Sequence, residues 1–139
     1  MMMEIRYPAL FEEQDNGFFV QFVDLPDTFT EGNTLEEAAF NASEVLSLML
    51  DAKLVDGDVI TEPTLGRADA SYIAPDAKTQ AALLVKKARG DTSIANLARS
   101  LDTSWPAAQR LENPRHWPTL KALDRAISAL GKRLVLSVE

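Results

Sequence analysis

Side chains able to do chemistry fall into two groups in this chain of 139 residues. The first is Thr103-Ser104-Trp105, followed by Gln109-Arg110 and, further on, Arg115. An amide at 109 can pair with an adenine edge, and a guanidinium at 110 with guanine or a phosphate. Hydroxyls and backbone N–H groups at 103 and 104 suit phosphate oxygens. Trp105 could stack on a base or anchor against a neighbouring helix. The second group is the carboxylates Glu12, Glu13, Asp15 and Asp24. Metal-dependent hydrolysis needs several such groups converging on cations. Strand alternation sends Glu12 and Glu13 to opposite faces, and Asp24 sits at a strand end. No convergent set is expected, so no catalytic residue, metal site or cofactor is expected either. His116, the single histidine, reads as a phosphate contact or a loop residue, since a metal would need partners that are not evident.

The elements that must position the first group read as two short helices and a turn. Ser93 opens one helix through Leu101, and Trp105 to Asn113 forms the next. Leu97, Ala98 and Leu101 must meet Ala108 and Leu111, and the small alanines allow a close, steep crossing. That crossing exposes the start of the second helix, where it can enter a major groove. Before this pair, Asp76 caps a helix over 77–89 stopped by Gly90. After it, Thr119 caps a helix carrying Leu120, Leu123, Ile127 and Leu130, stopped by Gly131. Residues 133–138 have strand character, and Leu134–Val138 is a candidate for pairing between subunits. Trp117 is expected to plug the core of this region. Lys86, Lys87, Arg89 and Arg99 could flank a DNA backbone, although exposed helix charge is the simpler explanation.

The N-terminal half has a different grammar. Residues 4–13 read as a strand in which Pro8 favours an edge or a bulge, and Asn16-Gly17 signals a hairpin. Phe18 to Leu25 follows, with Phe18, Val20 and Phe22 on one face, then a short strand at 28–31. Thr34 caps a helix to about Val55, and Glu37 completes a capping box. The helix carries one apolar stripe of Leu35, Ala38, Ala39, Ala42, Val45, Leu46 and Met49. A looser stretch from Val59 to Asp76 includes a final strand at 70–74. The boundary falls near Pro75-Asp76, giving domains 1–75 and 76–139.

Charge divides at the same place. Residues 1–74 hold three basic side chains against fifteen acidic ones, a balance of −12, and residues 75–139 hold eleven against six, a balance of +5. The acidic half suits a basic protein, whereas the basic half can approach phosphate. Each half is near the lower limit for a self-sufficient core, so help from dimerisation or from a partner is expected. The chain has no cysteine, which removes disulfides and thiol catalysis. No apolar run approaches the ~18 residues of a membrane span, and the first residues lack a basic-then-apolar leader pattern. A cytoplasmic location without membrane contact is expected.

The stretch Leu97-Ala98, Leu101, Thr103-Ser104, Arg110, Leu111, Glu112-Asn113, Pro118, Thr119-Leu120 and Ala129-Leu130-Gly131 resembles the phage-repressor-like (Xre-type) helix-turn-helix family. Two departures stand out. Asp102 replaces the usual turn glycine and must tolerate a left-handed backbone, while Pro106 occupies a first-turn position that accepts proline. The segments Ile5-Arg6-Tyr7-Pro8, Gly17-Phe18, Phe22-Val23-Asp24-Leu25-Pro26 and Glu31-Gly32-Asn33-Thr34-Leu35-Glu36-Glu37-Ala38, with Ala129 to Leu134, resemble the HicB antitoxin family with a helix-turn-helix tail. The resemblance covers nearly the whole chain. It implies an α+β chain: a partial ribonuclease-H-like β-β-β-α-β domain, then an all-α helix-turn-helix domain with a short C-terminal strand. It implies a type II antitoxin, not an enzyme, that covers the active face of a HicA-like mRNA-cleaving ribonuclease. It also implies that the toxin–antitoxin pair represses its own operon, binding double-stranded operator DNA through the C-terminal domain. Because one short recognition helix contacts too few base pairs, a homo-oligomer of at least two copies is expected. On that footing the DNA-binding candidates are Thr103, Ser104, Trp105, Gln109, Arg110 and Arg115. The rival is a free-standing helix-turn-helix repressor whose acidic domain senses a ligand or only oligomerises.

Overall fold

In a computed structural model, which describes residues 2–139, the chain divides into two compact units, residues up to Ala77 and Lys78–Glu139. The first is built on β1 (Tyr7–Gln14), β2 (Gly17–Phe22), β3 (Phe29–Gly32), α1 (Leu35–Asp56) and β4 (Ser71–Ile73). The strands form one antiparallel sheet in the order β3-β2-β1-β4. Ala9 lies opposite Phe22, and Phe11 opposite Val20, so these residues share a face. Tyr7, Ala9, Val20 and Phe22 on that face are buried. Ala38, Ala42, Leu46 and Leu50, spaced four apart on α1, are fully buried against the sheet. Each buried leucine of this set stabilises the unit by about 1.5–3 kcal/mol relative to exposure. The N-terminal half of α1 uses alanines because the backbones approach closely there. A Cβ built on Gly32 would lie 2.5 Å from the Ala38 nitrogen and 2.7 Å from its Cα.

Several strand details differ from expectation. β1 starts at Tyr7 rather than Glu4, and β3 is one residue later than 28–31. Pro8 is on neither an edge nor a bulge, because β1 is an inner strand. Its carbonyl accepts from the Val23 N–H at 3.0 Å, but β2 has already ended at Phe22, so the missing N–H of proline falls where that ladder runs out. The hairpin forms at the Asn-Gly signal by a different device. Gln14 pairs with Gly17, leaving Asp15-Asn16 as the loop, and neither has positive φ. Gly17 itself has φ 147°, and a Cβ there would meet the Gly32 carbonyl oxygen at 2.3 Å. Close approach between strands, more than turn type, selects the glycine.

Thr34 caps α1 as the sequence suggests, its hydroxyl accepting from the Glu37 N–H at 3.1 Å, which is the Thr34 half of the expected capping box. Gly57 ends the helix with a left-handed φ of 71°. The apolar stripe is only partly inward, since Leu35 is exposed. The stretch between α1 and β4 is pinned rather than loose. The Tyr7 hydroxyl donates to the Thr61 carbonyl at 2.7 Å, and Tyr72 donates to Thr64 at 2.7 Å. Burial, reinforced by Glu62 and Asp24, raises the Tyr7 phenol well above its ordinary range.

The second unit comprises α2 (Ala77–Arg89, whose first residue belongs to the other unit), α3 (Ile94–Ser100), α4 (Trp105–Arg110) and α5 (Leu120–Ala129). Val85 on α2, Leu97 and Ala98 on α3, Ala108 on α4, and Leu123, Ala126 and Ile127 on α5 form its core. α4 ends at Arg110, three residues short of expectation. Two further expectations are corrected. Residues 130–139 hold no strand, because strand composition alone supplies no neighbour for the backbone groups. Trp117 is 67% exposed and does not plug the core, which short aliphatic side chains already fill.

Candidate functional site

The turn between α3 and α4 sets the geometry of the basic unit. Ser93 caps α3, its hydroxyl accepting from the Asn96 N–H at 3.0 Å. At the other end the Asp102 N–H donates to the Arg99 carbonyl at 3.1 Å, and the Thr103 N–H donates to Ala98 at 2.9 Å. These two bonds form a Schellman motif, which requires a left-handed residue at its hinge. Asp102 fills that place with φ 52°. A left-handed non-glycine residue costs about 1–2 kcal/mol, more than the about 0.4–1 kcal/mol of unfolded-chain entropy that glycine would add. Asp102→Gly should therefore stabilise the basic unit by about 0.5–1 kcal/mol, seen as a higher midpoint in chemical denaturation. A lower midpoint would mean that the aspartate carboxylate has a stabilising role of its own.

Ser104 then caps α4, accepting from the Ala107 N–H at 3.2 Å, and Pro106 occupies the first turn as expected. Ala108 and Leu111 face inward. Trp105 and Gln109, four residues apart, therefore share the outward face, with Arg110 beside them. Thr103, Ser104, Trp105, Gln109 and Arg110 are all exposed, so the structure brings five of the six sequence candidates together on the start and outer side of one short helix. Arg115 lies in the following loop, where its N–H donates to the Asn113 side chain at 2.9 Å. His116 is exposed in the same loop.

One cation is committed elsewhere. The Arg89 guanidinium donates to Glu112 through Nε at 2.5 Å and Nη2 at 2.9 Å, and through Nη1 to the Thr92 carbonyl at 2.8 Å. Both side chains are mostly buried, and the hydrogen bond to Glu112 raises the arginine pKa further. This fork ties the end of α2 to the loop after α4, so Arg89 braces α4 rather than flanking a ligand. The pairing joins residues 23 apart in sequence, and sequence reasoning had no local signal for it.

In the acidic unit the four carboxylates do not converge. Glu12 lies opposite Phe19 and Glu13 opposite Phe18, on different faces, with Asp15 in the hairpin loop. Asp24 accepts from the Thr64 N–H at 2.8 Å and its hydroxyl at 2.6 Å, which makes it a tie for the segment before β4. Among the described residues no group of three or more His, Asp or Glu side chains is placed to hold a metal ion. No described helix is long and apolar enough to cross a membrane. Sequence reasoning overlooked a different feature, the exposed apolar residues Phe40, Leu48 and Val55 on α1. The signal was present as large apolar side chains lying off the inward stripe.

The chain is thus an acidic sheet-and-helix unit followed by a basic helical unit whose short α4 exposes polar side chains. The family model described as HicB_like antitoxin of bacterial toxin-antitoxin system matches residues 6–80. Antitoxin HicB 2 of Photorhabdus laumondii is 35% identical over 98% of both chains. Antitoxin HicB of Escherichia coli K12 is 29% identical over 95% of this chain and 98% of its own. Antitoxin HicB 1 of Photorhabdus laumondii is 27% identical over the full chain and 90% of its own. The chain belongs to the HicB-like antitoxin family of toxin–antitoxin systems.

Proposed function

We propose that the acidic unit neutralises a HicA-like mRNA-cleaving toxin by covering its active face, and that the basic unit represses the operon by binding operator DNA. Residues 1–75 are then a partial ribonuclease-H-like domain, a reading supported by the β-β-β-α-β order and the helix on one sheet face. Residues 76–139 are an Xre-type helix-turn-helix and dimerisation domain, supported by the Schellman turn and the exposed outer side of α4. Inhibition is occlusion, without chemistry by this chain, and the location is cytoplasmic. The observation that carries the reading is the charge division, −12 over residues 1–74 against +5 over residues 75–139, which falls close to the division into two units after Ala77. An acidic surface speeds association with a basic nuclease, and a basic one is needed on DNA. Thr103 and Ser104 would contact phosphate, Gln109 and Arg110 base edges, with Trp105 and Arg115 alongside. A neighbouring gene for a small basic protein is expected, and co-expression with its product tests the reading: growth arrest should be relieved. The absence of such a neighbour, or arrest without relief, would favour a free-standing repressor.

Repression calls for a dimer, because one six-residue helix reaches too few base pairs and paired half-sites match a two-fold axis. The C-terminal segment is the candidate seam. Leu134 packs on the unit core, while Val135, Leu136 and Val138 are 55%, 65% and 100% exposed. A second copy of the same segment would supply the missing strand neighbour. Val135→Lys with Leu136→Lys should give a monomer in sedimentation and reduce operator affinity on the order of 100-fold, through lost bivalency. A dimer that survives both changes would move the seam elsewhere.

A further inference from the structure

We infer that the outer face of α1 is the docking surface for the basic protein partner, an inference that rests on the toxin-neutralising reading and locates its contact. The inward face of α1 is already used by Ala38, Ala42, Leu46 and Leu50. On the other side Phe40 is 66% exposed, Leu48 70% and Val55 47%. A helix apolar on both sides is the pattern of one covered on both sides. Large aromatic and aliphatic side chains at the centre of a patch are the kind that dominate interface energy.

The charges around the patch select its occupant. α1 carries Glu36, Glu37, Glu44, Asp51 and Asp56 against Lys53 alone, and Glu37 and Glu44 lie beside Phe40 and Leu48 on the exposed face. A second copy docked across a two-fold axis would set these carboxylates against their own duplicates, which costs affinity. A protein with an apolar centre ringed by lysine and arginine meets no such penalty. Glu37 also borders an open cleft with Asp15, Glu31 and Asn33 beside the hairpin turn, extending the negative rim toward the start of the helix. The outer sheet face offers a smaller alternative, the Phe19–Phe29 ring pair at 5.9 Å.

Calorimetric titration of the full chain with the purified basic protein of the adjacent gene tests the assignment. Phe40→Ala with Leu48→Ala should weaken binding about thirtyfold or more while leaving the thermal midpoint unchanged, because both side chains are exposed. Glu37→Gln with Glu44→Gln should slow association in dilute buffer, and the deficit should shrink with added salt. Phe29→Ala should leave affinity unchanged. Unchanged affinity in the Phe40/Leu48 variant alongside a tight wild-type complex would overturn the inference and leave the antitoxin reading intact. A change in the variant's own oligomeric state would assign the face to a second copy and equally overturn it. A wild-type chain that does not bind the basic protein would overturn both.

Discussion

Replacing Gly32 by alanine should destabilise the acidic unit by about 3 kcal/mol, at the upper end of what one inserted methyl costs in a tight interior. The added Cβ would sit 2.5 Å from the Ala38 nitrogen, 2.7 Å from the Ala38 Cα and 2.9 Å from the Glu37 carbonyl carbon. All three are backbone atoms at the capped start of α1, so no side chain can swing aside. Relief requires α1 to lift from β3, which opens the layer that Ala38, Ala42 and Leu46 fill. Both tryptophans lie in the basic unit, at 105 and 117, and both tyrosines in the acidic one, at 7 and 72. The loss should therefore appear as a midpoint about 10 °C or more lower in tyrosine near-ultraviolet dichroism, with little change in the tryptophan transition. An unaltered tyrosine transition would mean that α1 does not rest on Gly32 as described.

The second large effect concerns the outer side of α4. On the proposed reading, Gln109→Ala with Arg110→Ala should reduce operator affinity by about three orders of magnitude, since each bidentate base contact contributes about 1–3 kcal/mol and a dimer would make each one twice. Stability should be unaffected, because both side chains are exposed and the core contacts of α4 come from Ala108 and Leu111. Discrimination against unrelated DNA should fall as well, because phosphate contacts remain while base reading is lost. A uniform small loss on every sequence would reassign the pair to phosphate. Arg89→Ala would not be a fair probe of DNA contact, because it leaves Glu112 mostly buried without its fork.

The sequence disclosed what is local. Thr34, Ser93 and Thr119 cap the helices expected of them, because a cap is a bond between residues three apart. The left-handed Asp102 was legible through the family resemblance, because it stands where that family has a turn glycine. Non-local contacts were not legible. Gly17 and Gly32 approach each other across a strand pair, Asp24 reaches Thr64 across 40 positions, and Arg89 finds Glu112 across 23. Residues 133–138 have strand composition and form no strand, since composition cannot provide a neighbour. For the candidate sites, the exposed side of α4 followed from helical spacing and alanine size. The outer face of α1 did not, because one inward stripe accounted for the helix and left Phe40 and Leu48, which lie off it, without a role.

Separate surfaces for separate tasks are the core of this account, and one substitution in living cells tests that most directly. In a strain carrying the adjacent basic protein under inducible control and a reporter on the operon promoter, Arg110→Ala should still relieve growth arrest while the reporter rises. Loss of relief together with loss of repression, or a reporter that stays silent, would contradict it.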